Sequence, residues 1–449
     1  MAQFFLDLVY SLTNCMCCFP GSPQLTINHQ SFKILRLLGE GGFSYVYLVE
    51  DTLSHDVYAL KKIRCPFGQE SVSLALKEVE AYTLFAPHPN IIHSYGHDVV
   101  SDRSDPGAKT VYILLPYYRR GNLQDMINAN LVYHTKVPER RLMVLFLGVC
   151  RALKAMHQYR VKGAPGGERS QGKAKRVREE AQRADDEAES EVAAAGRGSR
   201  RGGGGRDRDR DDVEQEPLME GEVTRSQEGV EPGQERAYAH RDIKPGNIMI
   251  GDDGKTPVLM DLGSLAPSPT HITSRSLALH VQDVAAEHST MPYRAPELFD
   301  VKTGSTIDTK VDIWSLGCTL YACLVGKSPF EARSEETGGS LSLCVLGGDW
   351  RFPDEGPAGG GGGGAEQGGQ QHGKQKRAST GPPPSPRRDA GADGAGISDE
   401  VKEVVRRCLK VEPAERPDVD ELIELVEGVI ARLGGAGGDG SDDGRGDDD

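Results

Sequence analysis

No apolar run of roughly 18 residues occurs in this sequence, so a membrane-crossing helix is not expected. The opening stretch MAQFFLDLVYSLTN has no Lys or Arg and carries Asp7, which argues against a secretory leader. A regular framework of paired cysteines is missing too. There are nine, an odd number, and apart from the cluster Cys15, Cys17 and Cys18 they are scattered, as in a reducing, cytoplasmic compartment. There is no excess of basic charge. The formal net charge of -14 argues against a general nucleic-acid binder, and no nucleic-acid partner is expected.

Three segments have almost nothing to bury. Residues from about 160 to 235 are dominated by Arg, Glu, Asp, Gly and Ala, and residues from about 355 to 396 contain AGGGGGGAEQGGQQ and TGPPPSPRRD. The tail over 434–449 is Gly and Asp apart from one Arg, one Ala and one Ser. Burial of so few aliphatic and aromatic side chains cannot offset backbone ordering, and all three are expected to be disordered. The tract GRGSRRGGGGRDRDRDD alternates acids with arginines and reads as a solvated mixed-charge insert rather than an RNA-contacting arm.

Removing them and the first 30 residues leaves one domain of about 290 residues, large enough for a sizeable core. From Phe32 to Lys62 the pattern predicts a strand, a glycine turn, a strand and a third strand. A helix is predicted over 71–85 from the spacing of Leu74, Val79, Tyr82 and Phe85, and another strand over 111–118. Helical spacing then dominates, as in RRLMVLFLGVCRALKAMH over 140–157 and VDIWSLGCTLYACLVG. An α+β chain follows, with a small β-rich N-terminal lobe, a large helical C-terminal lobe and a cleft between them.

Within that frame the polar motifs carry chemistry. In LGEGGFSYV, residues 38–46, Gly39 and Gly41 would let backbone N–H groups approach phosphates with no Cβ in the way. Lys61 in YALK lies on the next strand, where an ammonium can reach α and β phosphates. Such a lysine needs a partner, for which Glu78 is the first choice and Glu80 the second. In HRDIKPGN, Asp242 can accept the proton of an attacking hydroxyl, Lys244 can neutralise a transferring phosphoryl group and Asn247 can hold a magnesium ion. Asp261 in DLG, fourteen residues after Asn247, offers a second metal ligand.

HRDxKxxN followed by DLG and by APE at 295–297 resembles the eukaryotic protein kinases over nearly all of the foldable chain, about Phe32 to Leu433. GEGGFSYVYLVE, YALKKI, LMDLGS and YRAPELFDV are more closely similar to the Numb-associated kinase family. Within it they resemble the branch of myristoylated and palmitoylated Ser/Thr kinases linked to the Golgi and vesicle traffic. The resemblance implies a bilobal kinase fold and the cofactors ATP and Mg2+. It implies a nucleotide site at Leu38, Gly39, Glu40, Gly41, Gly42, Phe43, Ser44, Tyr45 and Val46, with Lys61, Leu115 and Tyr117. Ser44 replaces the third glycine of the loop pattern, and Leu262 replaces the commoner Phe as it does in that branch. Leu115 falls at the gatekeeper position, before hinge residues 116–118. Asp312 resembles the residue that braces the catalytic loop, and Glu297 with Arg416 the buried pair of the large lobe. Arg241 completes the HRD motif and either binds a phosphate or does without one. Lys244 and Thr290, five residues before Ala295, match the Ser/Thr pattern, so the implied partners are proteins phosphorylated on Ser or Thr.

The segment HITSRSLALHVQDVAAEHST is expected to be helical in this branch, making phosphorylation of the activation segment less necessary. The insert after His157 enters where kinases have a short surface turn, and closing a longer loop costs only about 0.6 kcal/mol per doubling of length. A pseudokinase scaffold would have lost at least one of Lys61, Asp242, Asn247 or Asp261, and none is lost. A small-molecule kinase is disfavoured by APE and Thr290. The implied layout is a membrane-targeting segment over 1–30, a kinase domain over 31–433 and the acidic tail. The branch needs glycine after Met1 and this chain has Ala2, so N-myristoylation is not expected. Palmitoylation of Cys15, Cys17 and Cys18 would suit a cytoplasmic kinase held peripherally on Golgi or endosomal membranes.

Overall fold

The computed structural model describes residues 24–41, 44–66, 69–101, 108–161, 234–355 and 396–435. Gly42, Phe43 and the cysteines at 15, 17 and 18 lie outside the described residues, as do the two inserts and the tail except at their margins. The chain divides into one unit of Met1–His157 with Ala237–Asp449 and a second of Gln158–Arg236. In the second unit the described ends pair with each other: Arg160 and Glu235 form an antiparallel bridge, and the Val161 N–H donates to the Gln234 carbonyl at 3.0 Å.

The first unit opens with β1 (Gln24–Ile27), β2 (Gln30–Glu40), β3 (Ser44–Asp51), β4 (Val57–Cys65), β5 (Gly96–Ser101) and β6 (Lys109–Pro116). They form a sheet in the order β1-β2-β3-β4-β6-β5, antiparallel throughout. Period-two alternation drives Phe32, Val49, Leu60 and Leu114 into one cluster with Ile27. The sheet therefore begins before residue 31, inside the segment assigned to membrane targeting. The reason is the turn between β1 and β2, where Asn28 and His29 have φ of 46° and 67°. That two-residue hairpin is usually announced by Asn-Gly, and without the glycine it was not legible. Strand β5 was also unforeseen, because it is a polar, largely exposed edge strand.

Helix α1 (Gln69–Leu84) packs on this sheet. It starts two residues before the expected helix and buries Val72, Ala75, Val79 and Tyr82, a stripe at spacings of three and four. Leu74, counted in the sequence pattern, sits one residue off that stripe and is 61% exposed.

The large lobe contains α2 (Leu123–Tyr133), α3 (Glu139–His157), α4 (Arg275–His288), α5 (Lys310–Val325), α6 (Pro329–Thr337), α7 (Leu341–Gly347), α8 (Asp399–Cys408) and α9 (Val419–Gly435). Helix α9 runs two residues past the expected boundary at 433. Short strands β7 (Ala237–Ala239), β8 (Ile248–Ile250), β9 (Pro257–Leu259), β10 (Ala266–Ser268), β11 (Thr270–His271) and β12 (Thr306–Ile307) pair as β7 with β10, β8 with β9 and β11 with β12. Helix α5 is buried without interruption from Val311 to Ala322 and is the axis of the lobe. Helix α3 lies so close to β9 that a Cβ on Gly148 would come within 2.4 Å of the Pro257 ring, so only glycine fits there.

The base of the lobe is closed by a buried ion pair. Arg416 donates through Nη1 and Nη2 to Glu297 Oε1 and Oε2 at 2.7 and 2.8 Å, and to the carbonyls of Lys410, Lys310 and Val411. All five guanidinium N–H groups are thereby used, and the group lies over the Trp314 ring at 5.0 Å. Removing one partner strands a charge away from water. Glu297→Ala is expected to lower the unfolding free energy by about 3–5 kcal/mol, read as a fall in the urea midpoint. An unchanged midpoint would show that the pair is dispensable.

Candidate active site

The HRDIKPGN loop is built on one buried carboxylate. Asp312, on α5, accepts from the backbone N–H of His240 through Oδ2 and of Arg241 through Oδ1, both at 2.8 Å, and lies 2.9 Å from His157 Nε2. Burial alone would raise the Asp312 pKa, but the hydrogen bond and charge of His157, with smaller help from His240 and the Arg241 N–H, hold it below the usual carboxylate range. Those bonds hold Arg241 in the left-handed region, at φ 69°, a conformation costing of order 1–3 kcal/mol. His240 accepts from the Asp242 N–H at Nδ1 and so presents Nε2–H to the Met260 carbonyl at 3.0 Å. Ser264 Oγ donates to the His240 carbonyl at 2.7 Å, tying the DLG segment to the same loop.

Around this brace the residues named from sequence converge. Lys244 Nζ donates to Asp242 Oδ2 at 2.7 Å and to Thr290 Oγ1 at 2.7 Å. Thr290 in turn donates its N–H and its hydroxyl to Asp242 Oδ1, at 2.9 and 2.8 Å. Asn247 Nδ2 donates to the Asp242 carbonyl at 2.9 Å and to Oδ2 at 3.0 Å, so its own Oδ1 is the atom left for another ligand. Asp242 and Asn247 are both buried, which fixes their rotamers. Arg241 Nη2 donates to Thr270 Oγ1 at 3.2 Å, and its Nε is buried with no partner among the described residues.

The opposite wall is the β sheet. Lys61 pairs across β4 with Val46 and Ile113, and its Nζ reaches Glu78 Oε1 at 2.6 Å and Asp261 Oδ1 at 3.0 Å. Glu78 is therefore the partner, and Glu80 is exposed. Tyr82 OH also donates to Glu78 Oε1 at 2.6 Å; this support was not foreseen, although a Glu and a Tyr four apart share a helix face. Burial alone would lower the Lys61 pKa. The charges of Glu78 and Asp261 more than reverse this and hold the ammonium above the ordinary lysine range.

The glycine-rich turn sits above. Gly39 pairs with Val46 and Glu40 with Tyr45, while a register shift between Leu37 and Gly39 leaves Leu38 as an extra, bulged residue. Such a bulge re-aims a side chain beside a site. The Gly41 N–H donates to the Ser44 carbonyl at 2.7 Å, closing the turn, and a Cβ on Gly41 would press on Ser44 Oγ at 2.9 Å. Leu115 is buried at the end of β6, and Tyr117 follows it, its hydroxyl accepting from Arg36 at 3.3 Å. As a metal site the donor set is one carboxylate, Asp261, and one amide, Asn247. Among the described residues no cluster of three or more His, Cys, Asp or Glu side chains is arranged for a metal. That set fits Mg2+, which keeps few protein ligands and completes its octahedron with phosphate oxygens and water.

The chain is similar to known proteins over most of its length. The protein kinase domain model matches residues 32–162 and 227–425. Serine/threonine-protein kinase ppk13 of Schizosaccharomyces pombe is 31% identical, covering 89% of this chain and 91% of its own. Serine/threonine-protein kinase ENV7 of Saccharomyces cerevisiae is also 31% identical, covering 94% and 99%. Human serine/threonine-protein kinase 16 is 31% identical over 73% of this chain and 80% of its own.

The Lys61 triangle has a pH signature. Burial alone would raise the Asp261 pKa, but the charge and hydrogen bond of Lys61 hold it below the usual range. A carboxylate with a lower pKa folded than unfolded adds stability above its unfolded value, about 3.9, and gives it up as the pH falls through the folded value. Lys61→Met is expected to flatten the fall of Tm between about pH 5 and pH 2, because Asp261 then has no depressed pKa to lose. Parallel acid slopes in the two proteins would show that Lys61 is not what holds Asp261.

Proposed function

This chain belongs to the protein kinase domain family and is a Ser/Thr protein kinase; on that premise we propose that Asp242, Lys244, Asn247, Lys61 and Asp261 carry its phosphoryl transfer. Protein kinases use ATP and Mg2+. The observation that carries the reading is the Asp242 carboxylate, held on one oxygen by Thr290 and on the other by Lys244 and Asn247. A substrate Ser or Thr hydroxyl gives its proton to Asp242 as its oxygen bonds to the γ-phosphorus. The bond from that phosphorus to the β–γ bridging oxygen breaks, and ADP leaves. Lys244 neutralises charge on the group in flight, and Lys61, fixed by Glu78, meets the α and β phosphates. Asn247 Oδ1 and Asp261 would hold Mg2+, which would supply positive charge against the phosphates. On this reading the residues from Leu38 to Val46 would cover the phosphates, with Leu115 and Tyr117 beside the base. Asp242→Asn is expected to lower kcat by about 10² to 10⁴ while leaving the KM for ATP nearly unchanged. Near wild-type phosphate incorporation into a Ser/Thr peptide would overturn the assignment.

The finer placement is a membrane-bound kinase of the Numb-associated type, acting in Golgi or endosomal traffic. Its support is the motif resemblance and the cluster Cys15, Cys17 and Cys18 beside the apolar FFLDLVYSL. Among the described residues no helix is long and apolar enough to cross a membrane, so attachment would have to come from such a segment. A single acyl chain gives marginal residence and two give stable anchoring, so palmitates on at least two of these cysteines are required. Hydroxylamine is expected to release the kinase from the membrane fraction of cells, as is replacing all three cysteines by Ser. An unchanged membrane share in the triple variant would sink the anchor.

A further inference from the structure

The carboxylate of Asp242 is oriented by Thr290, and Thr290 follows directly on the C-terminal end of α4. What fixes that end is Arg294, four residues further on, whose side chain folds back and is buried at 7% exposure. Its Nε donates to Ser289 Oγ at 2.7 Å, and its Nη2 to the carbonyls of Ser289 at 2.8 Å and Ala286 at 3.3 Å. Ser289 is itself held to the helix, donating its hydroxyl to the Ala285 carbonyl at 2.6 Å and its N–H to the same carbonyl at 3.0 Å. The guanidinium thus lies at the negative end of the helix dipole and fills carbonyls left free by the last turn. Phe299 stacks beneath it at 5.0 Å, and Ser315 Oγ of α5 donates to the Tyr293 carbonyl at 2.8 Å, pinning the turn that carries Arg294.

We infer that Arg294 is a positioning residue: by clamping Ser289 it sets the peptide that places the Thr290 N–H and hydroxyl on Asp242 Oδ1. Its hydrogen bonds go to Ser289 and Ala286, so it acts on Asp242 through two neighbours, Ser289 and Thr290. The inference rests on the reading of Asp242 as proton acceptor. Both Thr290 bonds fall on one carboxylate oxygen, so a shift of the Ser289 peptide turns the carboxylate away from the incoming hydroxyl. Among the described residues no hydrogen bond joins Lys61, Glu78 or Asp261 to Arg294 or Ser289, so the proposed ATP-facing wall is left alone.

Arg294→Lys keeps the charge but loses the planar fork that serves three acceptors at once. Steady-state kinetics of the full chain with ATP and a Ser/Thr peptide are expected to show kcat down about tenfold, with the KM for ATP within about twofold of wild type. Ser289→Ala removes the hydroxyl from the same clamp and is expected to lower kcat in the same way. The double variant should then be no worse than Arg294→Lys alone. The inference is overturned if Arg294→Lys keeps kcat within twofold, if its KM for ATP rises as kcat falls, or if the two substitutions add. Should Arg294→Lys fail to fold, Ser289→Ala decides: wild-type kcat there overturns the inference, and a lowered kcat at unchanged KM supports it. Asp242→Asn in the same assay separates the two readings, since activity in that variant overturns the role of Asp242 itself.

Discussion

Two backbone N–H groups of the catalytic loop end on the carboxylate of Asp312, and the remainder of the site is arranged by that fact. A buried anion with no partner would be unaffordable in free energy; paired with His157 and two amides it becomes a rigid post. The post stands on α5, the most buried helix of the lobe, so its position is set by dense packing rather than by a loop. The left-handed conformation of Arg241 is held against it, and the next residue, Asp242, meets the Asn247 amide at 3.0 Å. Helix α3 ends at His157 and the loop starts after β7, so the described residues on either side of it lie in regular elements.

A second constraint joins the lobes. Glu78, on α1, and Asp261, beside the catalytic loop, meet on one lysine, and each carboxylate makes the buried ammonium tolerable to the other. Tyr82 adds a neutral donor to Glu78, and burial with that carboxylate pushes its own pKa well up, so it stays protonated and keeps donating. The position of α1 on the sheet therefore sets the proposed phosphate site. With Leu262 buried beside the same helix, the DLG segment is held in the arrangement that presents Asp261.

Thr290 links this machinery to the activation segment. Helix α4 is preformed, with Ser274 capping its start by accepting from the Leu277 N–H at 3.1 Å and Arg294 closing its end. Arg241 donates to the Thr270 hydroxyl at 3.2 Å, on the strand that leads into this helix.

The sequence alone determined which polar residues to look for. Lys61, Glu78, Asp242, Lys244, Asn247, Asp261 and Thr290 were legible because they stand in motifs of fixed type and spacing, and the fold brings them into two hydrogen-bonded groups. The strands from Phe32 to Lys62 and the buried helix after Asp312 were legible because burial leaves periodic patterns. Only the tertiary structure decided the rest. The hairpin at Asn28 and His29 adopts positive φ without glycine, strand β5 is paired by its neighbour rather than by its own apolar content, and Leu74 is left exposed by a rotation of one residue on a helix. The clamp of Arg294 on Ser289 left no pattern at all, because a serine and an arginine five apart in a turn become partners only when the chain between them folds back.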